Sequence, residues 1–269
     1  MRTLLKWNLI FILFFICLAS CQKETPQNQA GVKSLQEVET TDLDSFNSLL
    51  SDVRATMTSN LRNSGCANSR NPEDYQGERH NEILEELNVG GYINGSIDSL
   101  LVAFERHTQL AVEGSSSFYI SLHDEMDSLI YFRDGSYNGA YLSSLSEVLP
   151  TVEIEILNAF FNVVVQCDTL ETRIALSIAT EDYVLASTVL SPESKDRMLA
   201  CLAIYRHSTC FWDDKYSDTN VSLRLADVYD AIGAYIAQNC NCEPGLIEDG
   251  ADVNTFASLF SAIMVALTR

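Results

Sequence analysis

The chain has 269 residues, of which 46% are hydrophobic, 20% charged and 9% aromatic. These fractions exclude a disordered, collagen-like or low-complexity protein and leave a chain long enough to bury a sizeable core. Its 37 acidic residues against 17 Lys and Arg give a net charge of −20. Such a surface repels phosphate and forgoes counterion release, which argues against nucleic acid as a partner.

Arg2 and Lys6 precede an unbroken apolar run of ten residues, Leu9 to Leu18, which ends at the small Ala19 and Ser20. As a helix rising about 1.5 Å per residue, the run covers roughly 15 Å, about half of a ~30 Å hydrocarbon core. It therefore reads as a secretory leader rather than a permanent span. At its end, Leu18-Ala19-Ser20-Cys21 resembles the lipobox of bacterial lipoproteins. The resemblance implies that residues 1–20 are removed and that Cys21 is acylated on sulfur and on its new amine. Several acyl chains give a firm membrane attachment that a single chain does not. The next three residues, Gln22-Lys23-Glu24, are similar to the signal that carries lipoproteins of some Gram-negative lineages to the outer face of the outer membrane. The implied location is the cell envelope, lipid-anchored in the outer membrane, with display at the cell surface.

Residues 22–33 lack apolar periodicity and read as a polar tether. The expected organisation is a leader over 1–20, a lipidated Cys and tether over 21–33, and a helical domain over 34–269 with a sub-boundary near 135–150. Loss of the leader takes away Arg2 and Lys6 and no acid, so the mature chain is more acidic still.

From Ser34 to Asn63, Leu35, Val38, Phe46, Leu49, Leu50, Val53, Met57 and Leu61 recur at helical spacing and predict one long helix. The polar stretch Ser64–His80 reads as a loop, which Cys66 would pin. Further helices are predicted over about 81–88, 96–112, 118–133 and 141–149, each bounded by glycine-rich turns. Residues 151–166 are apolar almost all round and suggest a central buried helix, although their β-branched run also permits a strand. Asp168 with Glu171 resembles a capping box for a helix over about 169–188. Ser191-Pro192 starts the next, to about Tyr205, and Asn220 and Asp252 are placed to cap helices over 221–239 and 253–268. The fold class expected is all-α, a disulfide-braced bundle of eight or nine helices.

Apart from Cys17 in the leader and Cys21, six cysteines remain: Cys66, Cys167, Cys201, Cys210, Cys240 and Cys242. In an oxidising compartment an even set reads as disulfides. Cys201 and Cys210 on one continuous helix would stand about 13 Å apart and cannot bond. Up-and-down packing suggests Cys167 with Cys210, and one of Cys240 or Cys242 with Cys66. The competing reading is a tetrahedral metal site, since His207, Cys210, Cys240 and Cys242 supply four nitrogen and sulfur ligands.

No Gly-x-Ser-x-Gly, His-Glu-x-x-His, Walker or dinucleotide motif is present. His123 with Asp127, His80 beside Glu78 and Glu82, and His107 beside Glu105 read as solvated helix faces. Two acidic segments, Asp213, Asp214, Asp218 and Asn220, and Glu248, Asp249, Asp252 and Asn254, lack the EF-hand ligand order and read as capping loops. No catalytic residue and no cofactor is assigned. The expectation is a membrane-anchored module that binds or scaffolds, with an envelope protein or a cationic ligand as partner. The alternative is a metal-binding module or enzyme built on His207, Cys210, Cys240 and Cys242.

Overall fold

A computed structural model describes residues 32–56, 65–109, 137–146, 149–216, 221–239 and 253–268, together with Ser117 and Ile120. Among these residues the secondary structure is helical: α1 (Val32–Thr56), α2 (Asp74–Val89), a 3-10 turn (Tyr92–Asn94), α3 (Ile97–Thr108), α4 (Ala140–Ser144), α5 (Thr151–Val164), α6 (Leu170–Ala186), α7 (Pro192–Tyr216), α8 (Val221–Asn239) and α9 (Val253–Thr268). The all-α class holds, and so does the disulfide bracing, through Cys66–Cys210. The last two helices fall where the spacing puts them. Cys21, Gln22, Lys23 and Glu24 lie outside the described residues, as do His123, Asp127, Cys240 and Cys242.

The helix at the centre is α7, which packs against α2, α6 and α8. Every residue from Met198 to Trp212 is buried. This corrects the expectation that 151–166 forms the central helix and that the helix from Pro192 ends near Tyr205. Helix α5 is indeed a helix and not a strand, but Glu155 and Asn162 face solvent. The chain continues helical past Tyr205 through Arg206, His207, Ser208 and Thr209, four buried polar residues whose side chains all find partners. Polar residues in sequence look like the end of a buried stripe, and here they are its continuation, because facing helices supply carboxylates.

The apolar core runs from Phe46 and Leu50 of α1 through Phe104 of α3 and Leu157, Phe160 and Phe161 of α5 to Tyr205 and Trp212 of α7 and Ile232 of α8. Aromatic rings join these elements in tilted and edge-on pairs, with Phe160 5.1 Å from Tyr205 and Phe46 4.6 Å from Tyr183 of α6. Such pairs favour these arrangements over a flat stack.

Several boundaries shift for identifiable reasons. Helix α2 begins at Asp74, seven residues before the predicted start, because its inner stripe opens with Gly77 and His80 rather than with apolar residues. A Cβ on Gly77 would stand 2.3 Å from His207 Cδ2 and 2.6 Å from the Ala203 carbonyl oxygen, so the missing side chain is what lets α2 press onto α7. Helix α4 stops at Ser144, where the Leu145 amide bonds to the Leu142 carbonyl in a tight turn. At α6 the cap is Thr169 and not Asp168: its Oγ1 accepts from the Thr172 amide at 3.3 Å, one residue out of register with the expected box. Ser191 does cap α7, accepting from the Ser194 amide at 3.1 Å. None of the described helices is long and apolar enough to cross a membrane.

Candidate functional site

The segment 65–73 crosses the buried face of α7 as a strap, tied down at both ends. At one end Cys66 is bonded to Cys210 of α7, 144 positions on in sequence, with 6.1 Å between their Cα atoms. At the other end the chain enters α2 at Asp74. This corrects two expected pairings at once, Cys167 with Cys210 and Cys66 with Cys240 or Cys242. Cys167 is a buried thiol that donates to the Val163 carbonyl at the end of α5. Cys201 is also a buried thiol, and burial pushes its pKa far up. Helix α7 is continuous across Cys201 and Cys210, which keeps those two apart as the spacing requires.

Beneath the strap lie Glu181 of α6 and Arg206 of α7, both fully buried. Glu181 Oε1 accepts from Arg206 Nη2 at 3.0 Å and from Asn71 Nδ2 at 3.0 Å, and Oε2 accepts from Asn68 Nδ2 at 2.5 Å. The two amides cannot be flipped. Asn68 Oδ1 accepts from the Arg70 amide and Asn71 Oδ1 from the Glu73 amide, which turns both NH2 groups toward Glu181. Burial pushes the Glu181 carboxyl up, against the pull of Arg206, Asn68 and Asn71. Every contact to its oxygens is nevertheless a donor, so the ionised form is the one the geometry holds.

Arg206 is shared. Its guanidinium also donates to the Cys66 carbonyl and to Asp74 Oδ1. Asp74 takes two further bonds, from the Asn68 amide at 3.0 Å and from His207 Nε2 at 3.1 Å. Burial alone would raise the Asp74 carboxyl, but Arg206 and His207 outweigh it and hold it below the usual carboxylate range. For His207, burial and the Arg206 charge outweigh Asp74 and hold the imidazole below its ordinary pKa. The ring is therefore neutral near pH 7, and its Nε2 proton points at the ionised Asp74.

His207 and Cys210 thus sit one turn apart on α7, but neither is set to bind a metal as the competing reading requires. The Cys210 sulfur is in the disulfide, and His207 Nε2 is bonded to Asp74. Among the described residues no group of three or more His, Cys, Asp or Glu is arranged to hold a metal ion. His80 is not the solvated residue expected from its acidic neighbours. It is fully buried, while His107 is exposed as its spacing suggests. Asp213 and Asp214 belong to α7 rather than to a loop, and Asp213 lies 3.7 Å from the Arg173 guanidinium of α6. Asn254 begins α9 one residue after its start, and Asp218, Asn220, Glu248, Asp249 and Asp252 lie outside the described residues.

No family model, curated protein or solved structure matches this chain. Any functional reading therefore rests on its own residues. Sequence reasoning singled out Cys66, His207 and Cys210 and missed Asn68, Asn71, Asp74, Glu181 and Arg206. A signal was present in the pattern Asn-x-x-Asn-x-x-Asp at 68, 71 and 74, which repeats every three residues right after a cysteine. Such short polar side chains pin irregular backbone, and here each asparagine closes a turn while Asp74 accepts from the Asn68 amide.

Proposed function

We propose that this protein is a lipid-anchored lipoprotein of the bacterial outer membrane whose helical domain works as a binding or scaffold module. The observation that carries the reading is the order of a basic start, a short apolar run and Leu18-Ala19-Ser20-Cys21. Gln22-Lys23-Glu24 supports display on the outer face. The buried groups at the strap support a scaffold, since Glu181, Arg206 and Asp74 are each saturated by neighbours and act as a clamp between α2, α6 and α7. The exposed side of α2 carries Glu78, Glu82 and Glu86 at successive helical turns, which suits a cationic partner or a basic patch on a neighbouring envelope protein.

The test is acyl labelling of the full chain expressed in a Gram-negative host. Wild type should incorporate labelled fatty acid and travel with the membrane fraction. Cys21→Ala should lose the label completely and accumulate with its leader attached. Undiminished labelling of Cys21→Ala would refute the anchor.

A further inference from the structure

Behind the strap, α8 turns two carboxylates inward one helical turn apart, Asp227 and Asp230, both buried. A single hydroxyl of α7 joins them. Ser208 Oγ lies 2.9 Å from Asp227 Oδ1 and 2.6 Å from Asp230 Oδ2. A hydroxyl has one proton to donate and an ionised carboxylate has none, so both contacts are hydrogen bonds only if one carboxyl brings its own proton.

The surroundings decide which one. Asp227 Oδ2 accepts from Thr209 Oγ1 at 3.0 Å and faces the Arg173 guanidinium of α6 at 3.6 Å, so its anionic form is supported from two helices. Among the described residues, Asp230 faces no cation. From α2 it meets His80, whose Nε2 is 3.7 Å from Oδ2, and from α9 it meets Ser261. The His80 tautomer is fixed by its neighbour. Asn81 Nδ2 donates to the His207 carbonyl, which leaves Asn81 Oδ1 to accept from His80 Nδ1–H at 3.1 Å. The Nε2 that looks at Asp230 then carries no proton. Burial, with the nearby His207, holds the His80 ring neutral down to about pH 4, so it offers Asp230 no charge.

We propose that Asp230 carries a proton at neutral pH and donates it to Ser208 Oγ while Ser208 donates to Asp227, and that release of this proton to solvent at rising pH loosens α8 from α7 and α9. Burial supports the assignment by pushing the Asp230 carboxyl well above its ordinary range, and the Asp227 charge adds to it against the pull of Ser208 and Ser261. The sign follows from linkage. The folded state keeps a proton that the unfolded state releases near pH 4, so this contribution is intact below that value and is lost as pH rises through the folded pKa. His80 works in the opposite sense. Its contribution is intact above about pH 6.5 and lost as pH falls toward about 4.

The experiment uses the full chain in detergent and two readouts. Infrared difference spectra at about pH 7 should show a protonated-carboxyl stretch in wild type that Asp230→Asn lacks. The thermal midpoint of wild type should fall from about pH 6 to about pH 9, and that fall should shrink at least about twofold in Asp230→Asn, whose amide donates to Ser208 in place of the acid proton. Between about pH 4 and 6.5 the His80 slope opposes that of Asp230, so the acid-side fall should be steeper in Asp230→Asn than in wild type. Absence of a protonated-carboxyl band in wild type, a band retained in Asp230→Asn, or equal alkaline falls would overturn the proposal. Should the variant not fold, the wild-type band alone decides, since it must persist while the midpoint falls and vanish where that fall levels off, at the folded pKa.

Discussion

Cys66→Ser, Cys210→Ser and the double variant are each expected to lose on the order of 4 kcal/mol of stability, and all three should lose the same amount. A cross-link spanning 144 residues removes chain entropy from the unfolded state in proportion to the logarithm of the loop, which places it at the upper end of the usual 2–4 kcal/mol range. For a domain of this size that corresponds to a fall of roughly 10 °C in thermal midpoint. Equality of the three variants follows because the second substitution has no bond left to break. Wild type scanned with a reductant should match them. A cost in Cys66→Ser much larger than in Cys210→Ser would mean that the Cys66 side chain contributes something beyond the bond.

The second large effect belongs to Glu181. Glu181→Ala strips Arg206 of its fully buried countercharge and leaves the amides of Asn68 and Asn71 without their acceptor. Removing one partner of a buried pair costs about 3–5 kcal/mol, chiefly through the charge left behind. Glu181→Gln keeps the volume but sets an NH2 group against the donating amides of the strap, so most of the loss should remain. The contrast is Arg70 with Asp182, 2.7 Å apart but 61% and 38% exposed. Arg70→Ala should change stability by no more than about 1 kcal/mol, as exposed pairs generally do. Urea titrations with unchanged slope would measure all three. A small effect at Glu181 would show that the strap holds without the ion pair under it.

What the sequence made legible, and what it hid, depends on where the polar residues fall. The extents of α8 and α9 are readable from their spacing, although their inner faces also hold Asp227 and Asp230, and Ser258 and Ser261. The start of α2 and the end of α7 are not. Helix α2 opens its buried face with Gly77 and His80, and α7 runs its buried face through Arg206, His207, Ser208 and Thr209. In both, periodicity is intact and polarity is inverted. Such side chains are tolerated inside only because a partner sits on another helix, and one chain read in order shows neither the partner nor its distance.

The cysteines show the same limit. Even count and exported context pointed to disulfide bracing, and the rule that Cys201 and Cys210 on one helix cannot bond held. The partner of Cys210 is hidden as long as Ser64–His80 reads as a loop for its whole length. Once α2 begins at Asp74, the remaining strap is short, and Cys66 is delivered to the turn of α7 that carries Cys210. The polar residues between them were the other half of the signal: each asparagine closes a turn with its oxygen and gives its amide to Glu181.

A strap fastened by Cys66–Cys210 across the polar face of the central helix holds the candidate site together. The most direct measurement is a peptide map of the mature protein, alkylated in denaturant and digested without reduction. It should return a cross-linked pair joining the Cys66 and Cys210 peptides, with Cys167 and Cys201 alkylated as thiols. A Cys210 peptide joined to Cys167, or alkylated on its own, would contradict it.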